Sequence, residues 1–306
     1  MHASLHALTA ELKRLKASGV KSVAVSDASL AKLRAAVAGR PAPRAAAPAE
    51  VIQAPPVDTA KSYQAPVKTF VAKAVAAPEV VMPAPVPFTL PAGDKAARWA
   101  ALRERVLDDA VCRAQVRPGK QVVFGVGSLD AKIMFVGEAP GAEEEVQGEP
   151  FVGPAGQLLT RMIGGMGLKR AEVYIGNIMN FRPAMPVDER GVQFGNRPPS
   201  VSELAYCLPY LLAQIEVVNP ALLVALGSTA AQGLLGVGTF KTLGEVRGHW
   251  RDFGGRPLMV TYHPSYILRN QSNRSKRMIW EDLLQVMERA GLAISDKQRG
   301  FFLDRG

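Results

Sequence analysis

A chain of 306 residues with a formal net charge of +10 and two cysteines is long enough for one ordinary domain plus accessory sequence; it excludes a disulfide framework and predicts a surface that attracts polyanions. Charge alone does not choose between nucleic acid and an acidic membrane, but no apolar run approaches the ~18 uninterrupted residues of a membrane helix, and the N-terminus lacks a signal-peptide core. A soluble, cytoplasmic protein is the expectation. The net charge up to Lys95 is +6, which leaves +4 for all that follows.

Residues 1–40 read as an N-terminal helical segment. Leu5, Leu8, Leu12 and Leu15 form one apolar stripe, and Ser26 caps a second candidate helix that runs through Leu30, Leu33 and Val37 to Gly39. These helices pack on each other or meet a protein partner. Residues 41–93 carry eleven of the 23 prolines, with few large apolar side chains to offset the entropy of ordering, and read as a Pro/Ala-rich disordered linker.

From residue 94 to 292 short apolar runs alternate with helical periodicity. The runs 121–125, 132–137, 173–179, 221–227 and 257–262 predict strands; 95–111, 155–167, 200–218, 228–235 and 276–291 predict helices. The fold class that follows is α/β, a three-layer α/β/α arrangement around a central, mostly parallel sheet, preceded by a helical and disordered extension. Ligands in that architecture bind beyond the carboxyl ends of the strands. Residues 293–306 read as a short basic tail.

Strand 132–137 runs into Gly137-Glu138-Ala139-Pro140-Gly141, then Glu143-Glu144-Glu145 and Gly148-Glu149-Pro150-Phe151. Glycine and proline permit a tight, fixed loop, and its crowded carboxylates suit the activation of water better than the cradling of phosphate. A solvated acidic loop is the plain alternative. Strand 257–262 runs into Tyr262-His263-Pro264, which places a histidine at a strand end, fixed by a proline and ready to exchange a proton or hydrogen bond with a ligand.

Nine stretches stand in order: VGEAPG, GEPFVGPAGQLL, VYIGNIMN, FRP, NRPP, CLPYL, VALGSTAAQGLL, VRGHW and TYHPSYILR. Together they resemble the uracil-DNA glycosylase superfamily, most closely its family 4, over residues 115–291. The resemblance implies a monofunctional enzyme that flips a nucleotide out of DNA, single- or double-stranded, and hydrolyses the bond between uracil and deoxyribose. A relative that has lost its chemistry and acts as a DNA-binding or recruitment protein, or one acting on another deaminated base, are the alternatives. The uracil site would comprise Phe151, stacked on the base, and Asn177, reading its edge, with Ala139 and Gly141 in the loop. His263 would stabilise the departing anion as a neutral donor.

In the best-known branch of the superfamily an aspartate stands where this chain has Ala139, so water activation must move. The family 4 pattern gives it to Glu144, with Glu138 shaping the loop and Asn196 as a polar partner of Glu144. Repulsion from Glu143 and Glu145 would help Glu144 accept a proton. Ser228 and Thr229 at a helix start would hold a DNA phosphate, Ile267 would wedge into the emptied stack and Arg269 would meet phosphate nearby; the plain alternatives are an N-cap, a buried isoleucine and a surface arginine.

Family 4 members carry a four-iron cluster on four cysteines. Here Cys207 and Cys112 remain near two of those positions, Asp109 stands three residues before Cys112, and Phe181 precedes Arg182. Phenylalanine cannot ligate iron, so the expectation is no cluster, no metal and no other cofactor. The insertion Ala184–Gly195 lacks the histidine-ending basic sequence of a branch that traps DNA covalently, so covalent capture is not expected. A monomer suffices for this chemistry.

Overall fold

The computed structural model describes residues 81–303, all within the second of two compact units, Ala65–Gly306. The helical segment expected over 1–40, the linker up to residue 80 and the last three residues lie outside the described residues.

Four parallel strands make the centre of the sheet: β2 (Ile133–Gly137), β3 (Tyr174–Asn177), β4 (Leu222–Leu226) and β6 (Arg256–Thr261). Two edge strands, β1 (Val126–Gly127) and β5 (Trp250–Phe253), run antiparallel to β3 and β6, which gives the order β1-β3-β2-β4-β6-β5. Every residue of β2 and β4 is buried, as expected for strands covered on both faces.

Period-2 alternation sorts the strand residues into two cores. Met134, Val136, Leu223, Ala225, Leu258 and Val260 face one way, towards Leu102 and Val106 of helix α1 (Lys95–Leu107), and towards α5 (Val201–Val218) and α6 (Ser228–Leu235). Ile133, Phe135, Leu222, Val224 and Met259 face the other way, towards α4 (Pro154–Gly165) and α8 (Asn273–Arg289). Short helices α2 (Ala110–Gln115), α3 (Glu144–Gln147), α7 (Pro264–Arg269) and α9 (Asp296–Arg299) complete the set. The three-layer α/β/α expectation holds. Helix α5 is long and apolar enough to cross a membrane by length and composition, but Tyr210, Leu211, Ile215 and Val218 fill the first core.

The segment boundaries differ from the sequence reading. Run 121–125 forms no strand, although residues 122–125 are buried. Val123 instead exchanges hydrogen bonds with Asn180 through both backbone and side chain, 2.7 and 3.0 Å, and a Cβ on Gly125 would lie 2.3 Å from Gln214 Oε1. Strand β5 escaped prediction because two of its four residues, Arg251 and Asp252, face solvent. Part of the expected linker lies on the domain: Met82 is buried, and Phe88 packs on Tyr210 at 5.4 Å with Arg105 over its ring. Residues 293–303 are no free tail either. Trp280 Nε1 donates to Gln298 O (2.6 Å), Gln298 Nε2 donates to Gly165 O (2.8 Å), and Phe301 packs on Trp280 at 5.2 Å. Single aromatic anchors at wide spacing leave no periodic signal, which is why composition hid both.

Candidate active site

The four parallel strands end on one side, and the segments that leave them converge there. They surround a cavity of about 570 Å³ lined by Glu138, Ala139, Gly141, Glu144, Phe151, Asn177, Asn196, Ser228, Thr229, His263 and Arg269, a size suited to a small-molecule moiety. Eleven of the twelve site residues named from sequence therefore share one cavity. Ile267 is the exception: it is buried in the second core, so the wedge role does not fit it. Its neighbour Leu268 is 37% exposed and lies on the cavity rim. On α7, one residue turns the side chain by about 100°, which separates these two fates.

The acidic loop is less exposed than its composition suggests. Glu144 is buried, and both its carboxylate oxygens are occupied by backbone amides: Oε1 accepts from Val152 N (3.1 Å) and Gly153 N (3.0 Å), and Oε2 accepts from Gly141 N (3.1 Å). This carboxylate ties the two halves of the loop together. Glu145 is not a repelling neighbour, because Arg117 and Arg182 each pair with it at 2.9 Å. Asn196 is held by Arg182 rather than by Glu144: Arg182 Nε donates to its Oδ1 at 2.9 Å. Glu138 differs from Glu144. Its Oε2 accepts from Thr229 Oγ1, and among the described residues no hydrogen bond occupies Oε1; burial pushes its carboxyl above the ordinary value despite that bond.

Asn177 ends β3 with its side chain buried, and its Oδ1 has no hydrogen-bond partner among the described residues. An orphaned acceptor at a cavity wall costs free energy unless a ligand donates to it. Phe151 stands beside it in a left-handed backbone conformation, φ 55°, which is rare for an aromatic residue and marks strain held in place by its surroundings. Gly137 makes room for both, since a Cβ there would lie 2.3 Å from Asn177 Oδ1 and 2.5 Å from the Phe151 ring. Sequence reading used Gly137 only as a loop former; its real signal was a glycine at the last position of a buried strand.

His263 caps α7. Ser265 N donates to its Nδ1 at 3.2 Å, and Ser265 Oγ lies 2.9 Å from the same atom. A nitrogen that accepts an amide proton carries none, so in the neutral ring the proton sits on Nε2. Burial, then the charge of Arg269, lowers the imidazole from 6.5 to about 4. The ring is therefore neutral at pH 7, 5.5 Å from the Phe151 ring centroid. Gly227 allows this loop to approach α6: at φ 91° it has its notional Cβ 3.1 Å from His263 Cβ. The first amides of α6 then face the cavity without a side-chain cap. Thr229 serves the site through Glu138, since its hydroxyl donates there.

A four-iron cluster needs four thiolates. Cys112 and Cys207 are both buried and in mutual hydrogen-bond contact, which together with burial pushes the Cys112 thiol up. Asp109 accepts from Tyr206 and Tyr210 hydroxyls and from Cys112 N, at 2.7–3.0 Å. Burial opposes its charge, but these bonds outweigh it and hold the carboxyl below its ordinary value. Phe181 is fully buried in the same core. No group of three or more potential metal ligands occurs among the described residues, and this donor set does not fit the cluster.

Comparison with known proteins finds a match to the family model described as the uracil DNA glycosylase superfamily over residues 124–284. The chain is 45% identical over 163 residues to a type-4 uracil-DNA glycosylase of Thermotoga maritima, covering 53% of this chain and 79% of that one. It is 38% identical to a type-4 uracil-DNA glycosylase of Pyrobaculum aerophilum, covering 51% and 78%. A type-5 uracil-DNA glycosylase of the same organism is 28% identical, covering 54% and 73%.

Proposed function

The chain belongs to the uracil DNA glycosylase superfamily and is 38–45% identical to two of its type-4 members, and we infer that it is a uracil-DNA glycosylase that removes uracil from DNA as a step of repair. The observation that carries this reading at the level of chemistry is Asn177. Its unpartnered, buried Oδ1 is an acceptor awaiting a donor, and uracil offers N3–H at that edge, where cytosine has only a lone pair.

In the proposed reaction the base stacks on Phe151, with Asn177 Oδ1 accepting from N3–H and its amide donating to O4. Water attacks C1′ of the deoxyribose while the C1′–N1 bond breaks, and the electron pair leaves with the uracil ring as an anion. His263 Nε2–H donates to the uracil oxygen where that charge gathers. A neutral donor suits this step, because it stabilises the anion without needing a proton transfer. The water's proton passes to a carboxylate, the released uracil anion takes up a proton from solvent, and the products are free uracil and an abasic site.

We assign that carboxylate to Glu138 rather than Glu144, the reverse of the expectation from sequence. Glu144 spends three of its roughly four acceptor sites on loop amides, which commits this carboxylate to holding the loop rather than to binding water. Glu138 has a free oxygen and a raised carboxyl, the direction a general base needs. The uncapped start of α6 and Arg269 would hold backbone phosphates, and Leu268 would take the wedge role. The mismatch at Asp109 and Phe181 supports a cluster-free scaffold. The remaining expectations, a cytoplasmic monomer whose N-terminal helices meet a protein partner, stand as proposals.

The test incubates the full chain with uracil-containing oligonucleotides, single- and double-stranded, and cleaves abasic sites with alkali. Uracil-dependent strand breaks are expected, with loss of ~10²-fold or more in Asn177→Asp. No breaks from folded, DNA-binding protein would remove the assignment.

A further inference from the structure

The insertion Ala184–Gly195, which the proposed reaction does not use, is an ordered finger. Its two arms meet at a single antiparallel bridge, Val187 to Gln193. Its tip is closed by Asp188, whose Oδ1 accepts from Arg190 N (3.0 Å) and Val192 N (2.8 Å). Gln193 is buried and acts as an internal strut: its Oε1 accepts from Met185 N (3.1 Å), and its Nε2 donates to Pro183 O (3.1 Å). Arg197 Nε donates to Ala184 O (2.7 Å) and Arg182 to Gly195 O (2.8 Å), so both ends are fastened by guanidinium groups.

Between the strut Gln193 and the fastened Gly195 stands Phe194, 70% exposed. Val187 and Val192, 48% and 46% exposed, flank it. An aromatic ring held in water by buried polar anchors gains nothing for folding, and its hydrophobic area is free for a partner. The partner is set by position. Asn196, Arg197 and Pro198, the residues that follow the finger, line the cavity wall, and two residues of extended chain span only about 7 Å. A ring carried that near the cavity wall is within reach of a base next to a flipped nucleotide.

We propose that Phe194 is a stacking platform for one unpaired base next to the target nucleotide, and that the finger thereby sets the enzyme's preference between single-stranded and duplex DNA. The proposal rests on the glycosylase reading. Every base offers a π-face, so one exposed ring engages any neighbour, and most readily where that neighbour is not already stacked in a duplex.

The experiment measures uracil release by the full chain from single-stranded and duplex oligonucleotides in which each nucleotide flanking the uracil is replaced in turn by an abasic analogue. In the wild type one flanking position should matter, its replacement lowering kcat/KM on single strands about tenfold, the size of one base–aromatic stack. Phe194→Ala should show the same loss on unmodified single strands and become indifferent to that position, while Phe194→Trp keeps the wild-type pattern. Phe194→Ala matching the wild type on every substrate would overturn the proposal and leave the finger for a protein surface; so would a weakened variant that kept the wild-type position dependence. A wild type that released no uracil at all would overturn the glycosylase reading and this proposal with it.

Discussion

Replacing Glu144 and Glu138 separately by glutamine distinguishes a structural carboxylate from a catalytic one. Glu144 accepts three backbone amides through two oxygens, at 3.0–3.1 Å. Glutamine keeps one oxygen, best used opposite Val152 and Gly153, and turns its NH2 towards the amide of Gly141, where two donors then face each other. One charge-assisted bond is lost outright, about 1.5–3 kcal/mol, and the other two lose the ionised acceptor that strengthened them. Glu144→Gln should therefore lower stability by about 3 kcal/mol. For a domain of roughly 150–250 residues this is a fall in Tm of about 6–12 °C.

Glu138→Gln presents the opposite case. Its one bonded oxygen can still accept from Thr229, and the burial that opposes its charge no longer counts against the folded state, so Tm should stay within about 2 °C. Its activity should fall by about 10²–10⁴-fold, the usual contribution of a general base. Calorimetry and single-turnover kinetics on both variants give the answer. A Glu144→Gln protein with wild-type Tm and lost activity, beside a Glu138→Gln protein of nearly wild-type rate, would refute the reasoning.

His263 should titrate near pH 4 by NMR with its proton on Nε2; a midpoint near 6.5 would contradict the burial argument. The sign follows: above pH 6.5 the ring is neutral folded or unfolded, and as pH falls towards 4 the unfolded chain takes up the proton first, so this group's contribution to stability is lost across that window. The acid limb of kcat/KM should accordingly follow the raised carboxyl of Glu138 and lie above the ordinary 4.5; a limb at or below that value would break the assignment. Gly137→Ala drives a methyl to within 2.5 Å of the Phe151 ring, and should cost ~10²-fold or more in rate by misplacing the base-stacking ring; an unchanged rate would show that the ring has room to yield. Anaerobically purified protein should contain no stoichiometric iron, and the finding of four irons per chain would overturn the cluster-free scaffold.

The α/β class, the loops that carry chemistry and most of the cavity lining were legible in the chain, because strand alternation and ordered motifs are local properties. Sequence alone could not say which carboxylate is free. Glu138 and Glu144 look alike in a one-dimensional acidic run, and only the folded loop brings three amides to one and the Thr229 hydroxyl to the other. Helical phase likewise decided between Ile267 and Leu268, which are adjacent in sequence yet face the core and the cavity rim. The partners of Glu145 are Arg117 and Arg182, distant along the chain and brought together only by folding. Met82, Phe88 and Phe301 belong to the domain through single contacts that leave no period in the sequence. Tertiary structure decided those points because hydrogen-bond occupancy and burial depend on residues remote in the chain, whereas periodicity and loop chemistry do not.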